Sequence, residues 1–185
     1  ELDVIGIKNA LSTSPQRFAN SKGGTIISFP NAEGAMERFS VYENSIMAPE
    51  LAANYPEIKS YIGIGIDNPT STLYFSISPL GFKSMQLNAG KSAVFIEPLS
   101  ADLTTYSVYK KADKVKNFSP FECAVIDQVQ NQVDPSALRP NADDSLLRTF
   151  RLAMSVTGEY TSYFGGTKAL ALAAINNTMT RVNGV

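Results

Sequence analysis

The sequence predicts an α+β fold rich in β-strands: an antiparallel sandwich or curled sheet, a linker, and then a short, truncated strand–helix unit. Two observations indicate this. Between Thr25 and Lys110, short segments of alternating apolar residues recur about every ten residues, separated by Gly, Pro or Asn. After Ser145, one alternating segment leads into one segment with helical periodicity.

The N-terminal part is predicted to begin with a short helix and to continue as strands joined by turns. Within Glu1–Ser14, Asp3 is a candidate N-cap, and Leu2, Ile5 and Leu11 are expected to face inward. The predicted strands and the one short helix that interrupts them are, in order, Thr25–Phe29, Met36–Glu43, the helix Ile46–Ala53, Ile58–Ile66, Leu73–Ser78, Phe82–Leu87, Ala93–Glu97 and Thr104–Lys110.

A polar stretch divides the chain. From Asp127 to Asp144 the apolar content falls, and Gln, Asn, Asp and Pro dominate, which is typical of an exposed linker between domains. We therefore expect a first domain over residues 1–126, a linker over 127–145, and the opening of an incomplete second domain over 146–185. A strand and a helix cannot cover their own apolar faces, so we expect the rest of that second domain to lie elsewhere.

The C-terminal segment predicts one strand and one helix. In the strand Thr149–Val156, the apolar side chains fall on one face at a period of two. A glycine-bearing turn starting at Thr157 follows. Thr167 is a candidate N-cap for the helix Lys168–Val182, and Gly184 stands where a C-cap belongs. The face expected to pack inward consists of Leu172, Ile175, Met179 and Val182, extended on one side by Ala171, Ala174 and Thr178.

Composition bounds the classes of function. The chain has 185 residues, of which 44% are hydrophobic, and 16 basic against 17 acidic residues give a net charge of −1. Because there is no basic stripe, neither a nucleic acid nor an anionic membrane is an expected partner. No apolar run approaches the roughly 20 residues that a membrane-spanning helix needs. No signal peptide is visible at Glu1, and we interpret this as removal of a leader.

The chain contains no histidine and one cysteine. A triad hydrolase needs an imidazole base, and a zinc site of the HExxH type needs two imidazoles from one helix, so this chain supplies neither. A single cysteine cannot form an internal disulfide, and a lone cysteine in a secreted chain is a residue to consider for function.

Two long stretches resemble a known enzyme family. Residues 150–185 read FRLAMSVTGEYTSYFGGTKALALAAINNTMTRVNGV, and residues 47–69 read MAPELAANYPEIKSYIGIGIDNP. The first is similar to the opening of the catalytic domain in bacterial secreted reprolysin-like zinc metallopeptidases, a branch of the metzincins. It contains the sequence motifs R-x-x-x-x-x-T-G-E-Y-T and A-I-N-N-T-M-x-R-V-N-G-V. The second resembles the prodomain of the same enzymes.

The resemblance implies a propeptide followed by the first strand and helix of a metzincin-like α/β peptidase domain. The parent protein would be a secreted zinc metalloendopeptidase whose HExxHxxGxxH motif lies beyond Val185, so this chain alone is expected to be inactive. Its partner would be the remainder of its own peptidase domain, either in cis or as a nicked, non-covalently bound chain. The propeptide would keep the zymogen latent by covering the active-site cleft. Processing is expected in the linker, at positions such as Asp127, Arg139 and Ser145.

Cys123 is the candidate metal ligand. In metzincin zymogens a prodomain cysteine often binds the catalytic zinc as a thiolate, a cysteine switch that occupies the position of the hydrolytic water. Cys123 lies shortly before the linker, where the chain could cross a cleft. The other interpretation is a small buried apolar residue, as most free cysteines are. The better-known switch motifs place Gly after the cysteine, and here the residue is Ala124.

Two other classes of function stay open from the sequence. One is a stand-alone extracellular β-sandwich that binds or adheres to another molecule. The other is a β-rich inhibitor that acts in trans on a foreign protease, although such an inhibitor has no need of the strand–helix segment at residues 146–185. The sequence that follows Val185 distinguishes these from a propeptide.

Overall fold

A computed structural model describes residues 1–19, 23–113 and 150–185. Glu1–Val115 and Val156–Val185 form one compact unit, and Lys116–Ser155 belong to a second. The predicted domain boundaries at residues 126 and 146 fall outside the described residues, so they remain predictions.

Seven strands of the first unit form a single antiparallel sheet in which each strand pairs with the next along the chain. The strands are β1 Thr25–Pro30, β2 Met36–Glu43, β3 Lys59–Gly65, β4 Ser71–Ser78, β5 Gly81–Asn88, β6 Val94–Pro98 and β7 Tyr106–Lys110. The helices are α1 Val4–Leu11, α2 Pro49–Asn54, α3 Gly158–Tyr163 and α4 Lys168–Val182, with one 3₁₀ turn at Lys111–Asp113.

The sheet curls into a half-barrel around an aromatic core. Phe29 of β1 stacks on Phe82 of β5, with ring centroids 5.4 Å apart. These strands stand four places apart in the sheet, which would separate them by roughly 19 Å if the sheet were flat. The core therefore fills the concave side of the curl. Of the sandwich and the curled sheet that the sequence left open, the described residues adopt the curled sheet.

Helix α1 packs against this core. The Asp3 side chain accepts a hydrogen bond from the Gly6 amide at 2.8 Å, which confirms Asp3 as the N-cap. Leu11 is buried in the core and Leu2 packs against it, as predicted. Ile5 is not inward: 74% of it is exposed. A helix of two turns presents one narrow stripe to the core, and Ile5 lies outside that stripe.

Residues 150–156 do not form the strand that the sequence predicted. The alternating apolar residues predicted a strand over Thr149–Val156, but residues 150–156 belong to no strand, and Thr149 lies outside the described residues. Phe150 is 88% exposed. Alternation marks a segment that can pair, but a strand forms only when a neighbour completes its hydrogen bonds. The turn predicted after Thr157 is instead helix α3, because the Thr157 hydroxyl accepts a hydrogen bond from the Tyr160 amide and so caps a helix.

Candidate functional site

The residues that the sequence nominated for function all lie outside the described part of the chain. These are Cys123, the candidate zinc ligand, and the linker positions Asp127, Arg139 and Ser145. Their roles remain predictions. Within the described residues, the feature with the most specific chemistry is the contact between α4 and the convex side of the sheet, and we take this contact as the candidate site.

Helix α4 forms over Lys168–Val182, the bounds that the sequence predicted. The Thr167 hydroxyl accepts a hydrogen bond from the Leu170 amide at 3.2 Å, which confirms this N-cap. The first half is rich in Ala and Leu, which have high helix propensity. The chain leaves the helix at Asn183, and Gly184 follows.

The face of α4 that packs on the sheet agrees only in part with the predicted one: Ala171 and Ala174 are buried as expected, but the buried stripe is centred elsewhere. Ala173, Asn176 and Thr180 are buried, with at most 2% of each exposed, whereas Val182 of the predicted face is 56% exposed. Leu172, Ile175 and Met179 are half-buried. Small side chains let the helix approach the backbone of the sheet closely, and the sheet offers hydroxyl groups to Asn. The buried face of α4 therefore combines small apolar side chains with Asn176 and Thr180, rather than the largest apolar side chains of the helix.

Two neighbouring asparagines of α4 meet two paired serines of the sheet. Ser60 of β3 and Ser76 of β4 lie directly opposite each other. The Ser60 hydroxyl donates to Asn176 Oδ1 at 3.2 Å, and the Ser76 hydroxyl donates to Asn177 Oδ1 at 3.2 Å. These two hydrogen bonds favour one register of the helix, because sliding it by one turn would break both, although the buried Asn176 Nδ2 itself has no partner among the described residues.

An ion pair holds the C-terminal end of α4. Arg181 Nη2 lies 2.7 Å from Glu97 Oε1, and the guanidinium carbon lies 5.1 Å from the centre of the Phe95 ring. The Tyr109 hydroxyl donates to the other Glu97 oxygen. Both side chains of the ion pair are about a quarter exposed, so solvent screens it only in part.

The neighbours of Glu97 set its ionisation. Burial raises the pKa of Glu97, but the hydrogen bonds from Tyr109 and Arg181, together with the charges of Arg181 and Lys83, outweigh burial and leave this pKa below its ordinary value. Burial lowers the pKa of Lys83, and the Glu97 carboxylate opposes that shift. Glu97 is therefore held as a carboxylate that can bind Arg181.

Gly184 completes the contact just beyond the helix. A Cβ atom at this position would lie 2.8 Å from Tyr74 Cδ2 and 2.9 Å from Met85 Cε. These distances leave no room for a side chain unless Tyr74 or Met85 moves. We name the sheet residues that contact α4, namely Ser60, Tyr74, Ser76, Met85, Phe95 and Glu97, the docking face.

A cleft beside α1 is the second feature of interest. It encloses about 310 Å³ and has Tyr61 in its lining. Burial, followed by the nearby Glu43 carboxylate, raises the pKa of Tyr61 to about 12, so its hydroxyl keeps its proton at neutral pH. Lys59 forms an ion pair with Glu43 at 3.3 Å. The residues that line the cleft are Lys8, Ser12, Pro56, Glu57, Lys59, Tyr61 and Ile77.

Neither a metal centre nor a membrane span appears in the part of the chain that the structure describes. Among residues 1–19, 23–113 and 150–185 there is no cluster of three or more acidic or cysteine side chains that could hold a metal ion. Within the same residues, no helix combines the length and the apolar character needed to cross a bilayer.

Comparison with known proteins finds no match at any level. No protein-family model matches the chain, and neither a curated protein nor a solved structure is significantly similar to it.

One signal in the sequence could have located the contact. Asn has low helix propensity, and two adjacent Asn residues, Asn176 and Asn177, stand in the middle of an otherwise strong helix. Two adjacent Asn residues inside a helix therefore indicate that their side chains form hydrogen bonds with groups outside the helix. The partner serines could not be found this way, because Ser60 and Ser76 are ordinary residues of a predicted strand.

Proposed function

We propose that the chain is the inhibitory and folding-assisting propeptide of a secreted zinc metalloendopeptidase, joined to the first helix of its peptidase domain. The support is the amino-acid sequence of residues 151–185, which resembles the start of reprolysin-like catalytic domains. The chain has no histidine, so the zinc ligands of the peptidase would come from outside these 185 residues. The chain alone would then be inactive.

The two-sided character of α4 supports the folding-assisting part of the proposal. Asn176, Asn177 and Arg181 bind the docking face, while Leu172, Ile175 and Met179 are only half-buried and Val182 is 56% exposed. A helix that binds the sheet and still leaves part of its larger apolar side chains uncovered suits an element shared between a propeptide and the rest of a peptidase domain. The sheet would keep α4 helical and hold its apolar side ready for that domain to fold on.

Cys123 would supply the inhibitory part of the mechanism. A catalytic zinc ion keeps one coordination position open for the water that attacks the peptide bond. A Cys123 thiolate in that position would exclude this water, and cleavage in the linker 127–145 would allow the propeptide to leave. Cys123→Ala is then expected to raise the basal activity of the zymogen. Unchanged basal activity would assign Cys123 to the apolar interior.

The first experiment is to sequence the gene beyond the codon for Val185 and to produce the resulting protein with and without cleavage of the linker. We expect an HExxHxxGxxH motif, one bound zinc ion, and peptidase activity that appears only after cleavage. Excess propeptide added to the cleaved enzyme should inhibit it. A gene without that motif, or an uncleaved protein as active as the cleaved one, contradicts the proposal.

A stand-alone extracellular binding module is the second candidate. One observation favours it: α4 and the sheet belong to the same compact unit, as expected for a self-contained domain. The sequence beyond Val185 separates the two candidates, since a binding module predicts no zinc-binding motif there.

A further inference from the structure

We propose that the docking face is a binding site for α4 as a separate polypeptide, so that the sheet retains the C-terminal segment after the linker 127–145 is cut. This inference rests on the proposed function only for the identity of the two pieces. In that setting, a processed propeptide stays bound to its peptidase through the first long helix of the enzyme.

The first support is the way the compact unit is assembled. It consists of two stretches, Glu1–Val115 and Val156–Val185, that are far apart in sequence. The contacts between α4 and the sheet join these stretches directly: two serine–asparagine hydrogen bonds, the Arg181–Glu97 ion pair and the packing of Gly184. All of them are non-covalent and lie within the unit. Cutting the chain in the linker removes none of the residues that form these contacts, and it lowers the effective concentration of the helix.

The second support is the specificity of the contact. The docking face accepts a helix with small side chains at the spacing of Ala173, Asn176 and Thr180, an asparagine next to Asn176, and an arginine one turn further on. Glycine is favoured at position 184, because a Cβ atom there would lie 2.8 Å from Tyr74 Cδ2 and would force Tyr74 or Met85 to move. A helix with a bulky apolar stripe in this place would be excluded by its size. The face therefore recognises its own helix by shape and by matched polar groups.

The test is to cut the full chain in the linker. A sequence-specific protease site is placed between Arg139 and Ser145 of the 185-residue chain, and the cut sample is examined by size-exclusion chromatography and native mass spectrometry. We expect the two pieces to elute together, with the 20.0 kDa mass of the chain plus the inserted site. A dilution series gives the dissociation constant. Separation of the pieces at micromolar concentration overturns the proposal.

Two matched variants on opposite sides of α4 test the geometry. Ala173→Leu places a larger side chain on the buried side, and Thr178→Leu places the same side chain on the exposed side. We expect the dissociation constant of the cut pieces to rise at least about tenfold for Ala173→Leu, because overpacking forces the helix away from the sheet. For Thr178→Leu we expect no more than about a twofold change. Equal affinities for the two variants would show that α4 does not bind by this face.

A third variant covers the case in which Ala173→Leu does not fold. Glu97→Gln leaves the size of the side chain unchanged and removes the charge that holds Arg181. We expect the dissociation constant to rise about fivefold or more at low salt and by less at high salt, because the lost interaction is an ion pair. Wild-type affinity at low salt contradicts the role of the docking face. Retention does not depend on any peptidase activity, so its failure and the failure of the proposed function are distinguishable.

Discussion

Glu97 is the residue whose ionisation most directly controls how the sheet holds α4. Its pKa lies below the ordinary value of 4.5, although burial opposes this, because Tyr109, Arg181 and Lys83 all favour its carboxylate. A carboxyl group with a lowered folded-state pKa contributes stability that is present above its unfolded pKa. That stability is lost as the pH falls through the folded pKa. Acidification below about pH 4.5 should therefore loosen α4.

Glu97→Gln tests this dependence. At neutral pH we expect the variant to lose about 1–3 kcal/mol of unfolding free energy, because Arg181 and Tyr109 lose a charged partner. Between about pH 5 and pH 3 its stability should fall less steeply than that of the wild type. Urea unfolding across this pH range measures both quantities. Glu50→Gln, at an exposed site in α2, is the control and should follow the wild type. Parallel pH profiles for wild type and Glu97→Gln would exclude Glu97 as the acid-sensitive group.

Two tyrosines, the buried Tyr61 and the half-buried Tyr109, should titrate unusually late. Burial raises the pKa of both Tyr61 and Tyr109 to about 12, with the Glu43 charge adding to the shift at Tyr61 and the Glu97 hydrogen bond adding to it at Tyr109. A raised folded-state pKa contributes stability that is complete below the unfolded value of about 10. This stability disappears as the pH rises through the folded value. The protein should therefore lose stability between about pH 10 and pH 12.

An alkaline titration followed by phenolate absorbance checks this expectation. Of the eight tyrosines, Tyr61 and Tyr109 should ionise near pH 12 in the folded protein. Tyr61→Phe should remove one late phenolate, and its stability should decline less between about pH 10 and pH 12. Tyr55→Phe, outside the core cluster, serves as the comparison. If both late phenolates survive in Tyr61→Phe, the second one belongs to a tyrosine other than Tyr61.

At the scale of the elements, α1 is an amphipathic helix, and mutations on its buried and exposed sides should change the stability of the protein by very different amounts. Leu11 is 1% exposed and belongs to the core cluster, whereas Ile5 in the same helix is 74% exposed. Leu11→Ala should therefore destabilise the protein by about 2–5 kcal/mol through lost burial and the cavity left behind. Ile5→Ala should change stability by no more than about 0.5 kcal/mol. Thermal and urea unfolding of the two variants measure the two changes. Similar losses of stability would show that α1 does not pack on the core through Leu11.

The sequence predicted the elements well where local signals act alone. Strand β2 and helix α4 have the bounds expected from alternation and from the Thr167 cap, and the other strands differ by a few residues at their ends. In these segments the spacing of turn residues and the capping chemistry set the element, and both are local in sequence.

The sequence failed where a distant partner decides the outcome. Residues 150–156 have the alternation of a strand, but no strand among the described residues pairs with them. Helix α4 has a recognisable apolar side, but it turns Asn176 and Asn177 to the sheet, where Ser60 and Ser76 donate hydrogen bonds to them. Periodicity shows which residues share a face, but not which face a particular sheet accepts. The candidate site was missed for this reason, and Cys123 lies outside the described residues.

At the scale of the whole molecule, the compact unit combines a sheet with a large aromatic core and a helix held by small and polar residues. The sheet buries Phe29, Phe39, Phe75 and Phe82 together. The buried face of α4 contributes mainly Ala, Asn and Thr, which remove little apolar area from water. Regions with few buried apolar contacts open at lower free energy than the core. We therefore expect α4 to open before the sheet does.

Hydrogen exchange on the full chain resolves this order. In the wild type, the amides of β4 should exchange only through global unfolding. Those of α4 should exchange through a local opening of lower free energy. Arg181→Gln removes the ion pair with Glu97 and the contact with Phe95, so the protection of α4 should fall about tenfold while that of β4 stays unchanged. Lys168→Gln, at the exposed start of α4, should leave both unchanged. If Arg181→Gln lowers the protection of α4 and β4 equally, the helix and the sheet open as one unit. In that case the helix is part of the sheet's own folding unit, and a nick in the linker would not give two pieces that exchange independently.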